Sequence, residues 1–204
     1  PQVTTRDAMV ATGFDEDFST NSLRAEIWNS RPGVGGITFS NGQVTFGANS
    51  SANTGEKALF AGRRIIVESR MAGRNSGRDT VFGLIDVANS GQISVGDTNY
   101  RGWGLYMVGY GNLAISETDY SVSNGSGIVS AMGGSTAEFM EYRLTMENDT
   151  ITVERGTTLS SISQSMVIRL ASTIEGRSFY LNVNTGDANY SPGTFDWIRV
   201  RVEN

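Results

Sequence analysis

The sequence predicts an all-β protein built as a sandwich of two antiparallel sheets, and three observations carry that expectation. No window places apolar residues at i, i+3, i+4 and i+7 as an amphipathic helix requires, whereas short period-two or apolar runs recur along the chain. Turn clusters separate those runs, and 25 glycines among 204 residues supply many of them. Within the runs apolar and polar residues alternate, the pattern of a sheet with one face on a core and the other turned away. The length suits one domain of the larger all-β kind, able to bury a core without disulfides.

Taken in order, residues 1–13 are polar and unpatterned and read as an N-terminal arm, with the domain proper over 14–204. Residues 37–40 and 44–47 form a predicted hairpin, because Asn41-Gly42 supplies the positive φ angles of a tight turn. Further strands are predicted over 63–71, 80–87, 103–108 and 113–117. The segment 123–136, "SNGSGIVSAMGGST", reads as a mobile loop. The run "EYRLTMENDTITVERG" is a hairpin turning at Asn148-Asp149, with Tyr142, Leu144, Met146, Ile151 and Val153 inward and Glu141, Arg143, Thr145, Thr152 and Glu154 outward. Strands over 166–170, 179–184 and 195–202 complete the set, the last with Ile198, Val200 and Val202 inward and Trp197, Arg199 and Arg201 on the other face.

Composition excludes several chemistries. The chain has no cysteine and no histidine, which removes disulfides, thiolate nucleophiles, zinc-thiolate sites, Ser-His-Asp triads and imidazole proton shuttles. A net charge of -5 argues against a nucleic-acid partner, since phosphate neutralisation needs a basic face. No apolar run approaches the roughly 18 residues that cross a bilayer, so no membrane insertion is expected. The loop "RPGVGG" over 31–36 lacks the Gly-Lys-Ser/Thr ending and the following helix of a phosphate-binding loop.

Four pieces, "FDEDFSTNSLRAEIW", "ITFSNGQVTF", "EYRLTMENDTITVERG" and "FDWIRVRVEN", resemble in order and spacing the concanavalin A-like lectin/glucanase superfamily, whose jelly roll is shared by laminin G-like domains and family-16 glycoside hydrolases. The resemblance implies that the opening segment, the Asn-Gly hairpin and the closing Asp-Trp strand meet on the convex side. It also implies a structural calcium held by the carbonyls of Asp17 and Gly42 and the carboxylate of Asp196. The alternative is that Asp196 only accepts backbone hydrogen bonds where the sandwich closes. Family-16 hydrolases carry Glu-x-Asp-x-x-Glu on a strand of the concave groove, and no such motif occurs here. The stretch in its place, "YRGWGLYMVGYG" over 100–111, has no carboxylate. "VESR" and "GQIS" also resemble alginate-lyase-type polysaccharide lyases, but Ile66 stands where those have an arginine and Ser94 follows Gln92-Ile93, so the proton-transfer groups are missing.

The fold resemblance without catalytic acids leads to a non-enzymatic, lectin-like adhesion module that recognises a glycan or cell-surface polysaccharide. Sugars stack on aromatic rings and take forked hydrogen bonds from polar side chains. The ligand-binding candidates are therefore Arg64, Glu68 and Arg70 from one strand with Tyr106 and Tyr110 from another, all assigned to the concave sheet. Trp103, Leu105 and Met107 are then core. An ion-pair ladder among Arg64, Glu68 and Arg70 is the alternative for that strand. The competing function is a structural subunit that self-assembles or joins a larger virion or surface assembly through its N-terminal arm. The expected setting is extracellular or a virion surface.

Overall fold

The computed structural model describes residues 11–72, 80–87, 102–108, 112–116, 128–132, 138–170, 173–185 and 193–204. Among them lie β1 (Gly13–Glu16), β2 (Asn29–Arg31), β3 (Ile37–Ser40), β4 (Gln43–Phe46), β5 (Ser51–Asn53), β6 (Arg64–Ala72), β7 (Thr80–Asp86) and β8 (Gly102–Val108). They are followed by β9 (Asn112–Ser116), β10 (Ile128–Met132), β11 (Met140–Glu147), β12 (Thr150–Thr158), β13 (Ser161–Arg169), β14 (Phe179–Thr185) and β15 (Gly193–Glu203). A single 3-10 turn over Gly55–Lys57 is the one helical element named among the described residues.

The strands form two antiparallel sheets. One has eight strands in the order β13-β12-β11-β6-β15-β4-β3, with β1 also on β15; the other has seven, in the order β10-β9-β8-β7-β14-β5-β2. Strand β15 pairs with β6 on one edge over residues 194–203. Its other edge is shared: β4 takes residues 193–195 and β1 takes 198–201. The end of β1 and the start of β4 therefore meet beside Asp196 and Trp197, where a bulge interrupts the β15–β6 register.

The predicted hairpin turns are present for the predicted reason. Ser40 pairs with Gln43 across Asn41 and Gly42, whose φ angles are 53° and 72°. Glu147 pairs with Thr150 across the turn that contains Asn148 at φ 53°.

The core lies between the sheets. Phe195 of β15 stands edge-on to Phe46 of β4 at 5.8 Å and packs against Phe82 of β7, in the opposite sheet, at 5.5 Å. All three are at most 1% exposed. The same cluster takes Tyr142, Leu144, Met146, Ile151, Val153, Ile198 and Val200, the inward set that alternation predicts. Backbone bonds between Phe60 and Phe179 add a further tie between segments distant in sequence.

Three expectations are corrected. Residues 11–13 belong to the sandwich rather than to an arm: the Ala11 N–H bonds to the Leu59 carbonyl, Ala11 is buried, and β1 begins at Gly13. Residues 1–10 lie outside the described residues. Strand β10 falls inside the segment read as a mobile loop, because "IVSAM" pairs with β9 although glycines and serines flank it. Strand β13 begins at Ser161 rather than Met166, since β12 supplies a ladder to the polar "SISQS" stretch that alternation of hydrophobics cannot reveal.

Because Phe195 contacts aromatic rings in both sheets, Phe195→Ala is expected to cost about 3–5 kcal/mol. Chemical denaturation checks this, and a loss below about 1 kcal/mol would mean that the inter-sheet aromatic contact is not a principal tie.

Candidate functional site

The five predicted ligand-binding residues are not brought together on one sheet. Arg64, Glu68 and Arg70 lie on β6, in the eight-stranded sheet beside the closing strand β15, which the resemblance puts on the convex side. Position 106 lies on β8, in the seven-stranded sheet, paired with Val81. The side chain of Tyr106, and Tyr110 altogether, lie outside the described residues.

On the outer face of the eight-stranded sheet the charges answer one another. Directly opposed in register across five strands stand Glu154, Arg143, Glu68, Arg199 and Asp15, alternating in sign. Arg143 donates Nε to Glu68 at 2.9 Å and a second N–H to Glu154 at 3.1 Å; Arg199 reaches Asp15, and Glu68 at 3.8 Å. Arg201 approaches Glu68 at 3.5 Å, so a carboxylate only 3% exposed is surrounded by three guanidinium groups. Burial lowers the pKa of Arg143, but its bonds to Glu68 and Glu154 more than offset that, and it stands above its ordinary value.

The expected ladder along β6 therefore runs across strands instead. Neighbours directly opposite in a sheet are about 5 Å apart, closer than alternate residues along one strand. Arg64 pairs with Glu203 at 3.0 Å and Glu147 at 3.6 Å, and Arg70 pairs with Asp196. This face is an internally satisfied ion-pair network with no free group for a ligand in its central row.

The positions implied for calcium do meet in space. A Cβ built on Gly42 would lie 3.9 Å from the Asp17 carbonyl oxygen, at the junction of β1, β4 and β15. The donor set, however, does not fit a calcium ion. One oxygen of Asp196 accepts from Gln43 at 3.2 Å and the other pairs with Arg70, which also lies 4.9 Å from the centre of the Phe139 ring. The Asp17 side chain caps its own turn by accepting from the Ser19 N–H at 3.0 Å, which holds its pKa below the usual value. Calcium takes about 6–8 oxygens, with carboxylates supplying charge. Among the described residues no group of three acidic side chains is arranged for a metal. A guanidinium supplies the positive charge here, and Asp196 is a hydrogen-bond acceptor whose donors are the side chains of Gln43 and Arg70 rather than the backbone groups expected.

The seven-stranded sheet presents a different outer face. Phe82, Leu84, Ala52, Leu181 and Val183 point into the core, so Gly83, Ile85, Ser51, Asn53, Tyr180 and Asn182 take the opposite side. One row crosses six strands in register: Asn29, Asn53, Asn182, Gly83, Gly104 and Ser116. The register sets positions 103 and 105 opposite the core residues Leu84 and Phe82.

The Asn29 amide donates to Asn53 Oδ1 at 3.5 Å and orients that side chain. Asn53 Nδ2, both polar atoms of Asn182, and the Ser51 hydroxyl have no hydrogen-bond partner among the described residues, although each residue is only 1% exposed. Buried polar atoms in folded proteins are almost always bonded to protein or water, and an orphan costs roughly 1–3 kcal/mol. The two facing glycines leave the floor beside Asn182 without side chains. The arrangement leaves two amide nitrogens, an amide oxygen and a hydroxyl without a hydrogen-bond partner among the described residues.

Sequence reasoning missed these residues. The signal was present in "LNVNT", where asparagines occupy the polar positions of a period-two strand, but nothing in the sequence aligns them with Asn53 and Asn29.

This architecture is a two-sheet jelly roll, similar in fold to concanavalin A-like lectin domains and to a glucanase. Solved structures with the same fold include the Emp47p carbohydrate recognition domain, at 11% identity and a TM-score of 0.66, covering 95% of this chain and 96% of that one. They also include the VIP36 exoplasmic/lumenal domain in its Ca2+/Man3GlcNAc-bound form, at 10% identity and 0.63, covering 95% and 90%. A third is the endo-β-1,3-glucanase from Pyrococcus furiosus, at 13% identity and 0.65, covering 93% of each chain. No family model and no curated protein matches the sequence.

Replacing Asp196 by Asn weakens its pairing with Arg70, and the melting temperature is expected to fall equally in calcium and in EDTA. A fall seen only in calcium would restore the metal to Asp196. Glu68→Gln leaves three guanidinium groups without their shared carboxylate, and a loss of about 1–3 kcal/mol in denaturation is expected; an unchanged midpoint would show that the ladder contributes nothing net.

Proposed function

We propose that this chain is a lectin-like module that binds a glycan on the outer face of the seven-stranded sheet without cleaving it. The observation that carries the reading is the row of buried asparagine amides whose hydrogen-bonding capacity the described fold does not use. Each sugar hydroxyl both donates and accepts, and a vicinal pair matches the N–H and C=O of one amide. The support from comparison is the shared fold: Emp47p's domain is called a carbohydrate recognition domain, and VIP36 is solved with Man3GlcNAc.

The glucanase neighbour raises the question of turnover. Retaining glycoside hydrolysis needs two carboxyl groups about 5–5.5 Å apart. The sequence lacks the family-16 motif, and the described polar side chains of the asparagine row are amides. In this reading the glycan belongs to a cell-surface polysaccharide, binding serves adhesion, and the setting is extracellular or a virion surface. Calcium at a point other than Asp196 remains a variable of the test, because VIP36 occurs in both Ca2+-bound and metal-free forms.

A second reading, a structural subunit of a virion or extracellular assembly, draws on the other outer face. There Arg199 stacks on Trp197 at 5.6 Å beside Arg201, residue types enriched at protein interfaces.

A glycan array, run with calcium and with EDTA and paired with the solution mass of the same sample, tests both. Saccharide binding is expected in the wild type and not in Asn182→Ala. The variant's melting temperature should not fall, since removing an unbonded buried amide relieves a cost of about 1 kcal/mol or more. Absence of binding together with a large symmetric assembly would overturn the lectin reading in favour of the subunit.

A further inference from the structure

We infer that Arg70 takes the place of a structural metal in this chain: whatever the sheets bind, its guanidinium is the cation that closes the junction of β1, β4 and β15. The resemblance implies calcium at this point, and the donors around Asp196 do not fit it.

The bulge in β15 builds the anionic half of the junction. Phe195 and Ile198 are both buried in the core although three steps separate them, and strict alternation would put them on opposite faces. The extra residue between Phe195 and Trp197 absorbs the mismatch, so Asp196 and Trp197 are both half-buried on the outer side, with Trp197 directly opposite Arg70. A regular strand would face Arg70 with one side chain. This one gives it two, and one is a carboxylate.

The cationic half comes from β6. The Arg70 guanidinium donates to one oxygen of Asp196 and lies 4.9 Å from the centre of the Phe139 ring, within range of a cation–π contact. The amide of Gln43, the first residue of β4, donates to the other oxygen at 3.2 Å. Glu141, opposite Arg70 on β11, instead accepts from the Leu159 N–H at 2.7 Å. A divalent ion at Asp196 would therefore lie against a fixed charge of its own sign.

One guanidinium thus ties the closing strand to β6 and to Phe139 just before β11, while Gln43 joins the same carboxylate to the Asn-Gly hairpin. A metal does the same work by gathering oxygens from separate segments. The two devices respond differently to solution conditions. The side chains of Arg70 and Asp196 are 36% and 26% exposed, so salt screens their attraction, whereas a chelator has nothing to remove.

Thermal unfolding of the wild type, Arg70→Lys, Arg70→Met, Asp196→Asn and the Arg70→Met/Asp196→Asn double variant tests this, each at low and high sodium chloride and each in calcium and in EDTA. Arg70→Met is expected to lower the melting temperature by about 2–4 °C, and Arg70→Lys, which keeps the charge but not the planar fork, by less. The double variant should melt at or above Arg70→Met, because the pair is already broken and an unpaired carboxylate is removed. The gap between wild type and Arg70→Met should narrow at high sodium chloride and be the same in calcium and EDTA. If Arg70→Met does not fold, Arg70→Lys and Asp196→Asn carry the same salt and chelation comparison. Arg70→Met melting with Arg70→Lys or with the wild type would overturn the inference, as would a gap that salt does not change. A wild-type melting temperature that rises in calcium, with the rise absent in Asp196→Asn, would return the junction to a metal.

Discussion

The structure depends on strand β15 having both of its edges satisfied. One edge runs the length of β6, and the other is divided between β4 and β1. An unpaired backbone at this position would leave buried N–H and C=O groups without partners, so the opening segment of the domain, its Asn-Gly hairpin and its last residues must close together. The same strand carries Phe195 into contact with rings from both sheets, which couples the closure of one sheet to the packing of the other. Ladder bonds and inter-sheet packing thus meet in one strand at the C-terminal end of the domain.

The two outer faces treat their polar groups in opposite ways. On the eight-stranded sheet Glu68 is buried but surrounded by Arg143, Arg199 and Arg201, and each end of the row finishes on a further carboxylate. On the seven-stranded sheet Asn182 and Asn53 are buried as deeply and have amide atoms unmatched among the described residues. Structural polar groups tend to be satisfied by the fold itself, whereas groups held ready for a ligand are satisfied by what they bind. That contrast moves the candidate site from the arginine-rich strand to the asparagine row. It also explains Arg70, whose guanidinium neutralises Asp196 at the point where the superfamily resemblance implies calcium.

Much of the fold was legible in the sequence because alternation and turn chemistry are local. The inward set of the 141–154 hairpin, the turns at Asn41-Gly42 and near Asn148, and the inward Ile198, Val200 and Val202 all follow from residues within a few positions of one another. Strands β2 and β5 were not legible, since three residues with polar or small side chains carry no periodic signal, and the five residues of β10 sit among glycines and serines; each becomes a strand only when a neighbour pairs with it. Glu68 was legible as an ion-pair member but not in its partners. The positively charged residues of its own strand lie farther away than those of β11 and β15, and only the register shows this.

The sequence by itself determined the all-β class, the hairpins, the inward-facing residues and the lack of cysteine, histidine and a hydrolase motif, because each is a property of composition or of near neighbours. The tertiary structure alone decided which strands share a sheet. Cross-strand neighbours can be more than a hundred residues apart in sequence, as Asn53 and Asn182 are, and their pairing is set by the joint demands of core burial and ladder completion. That is why β6 and β8, both rich in binding-type side chains, fall on different sheets, while three asparagines from β2, β5 and β14 come into one row.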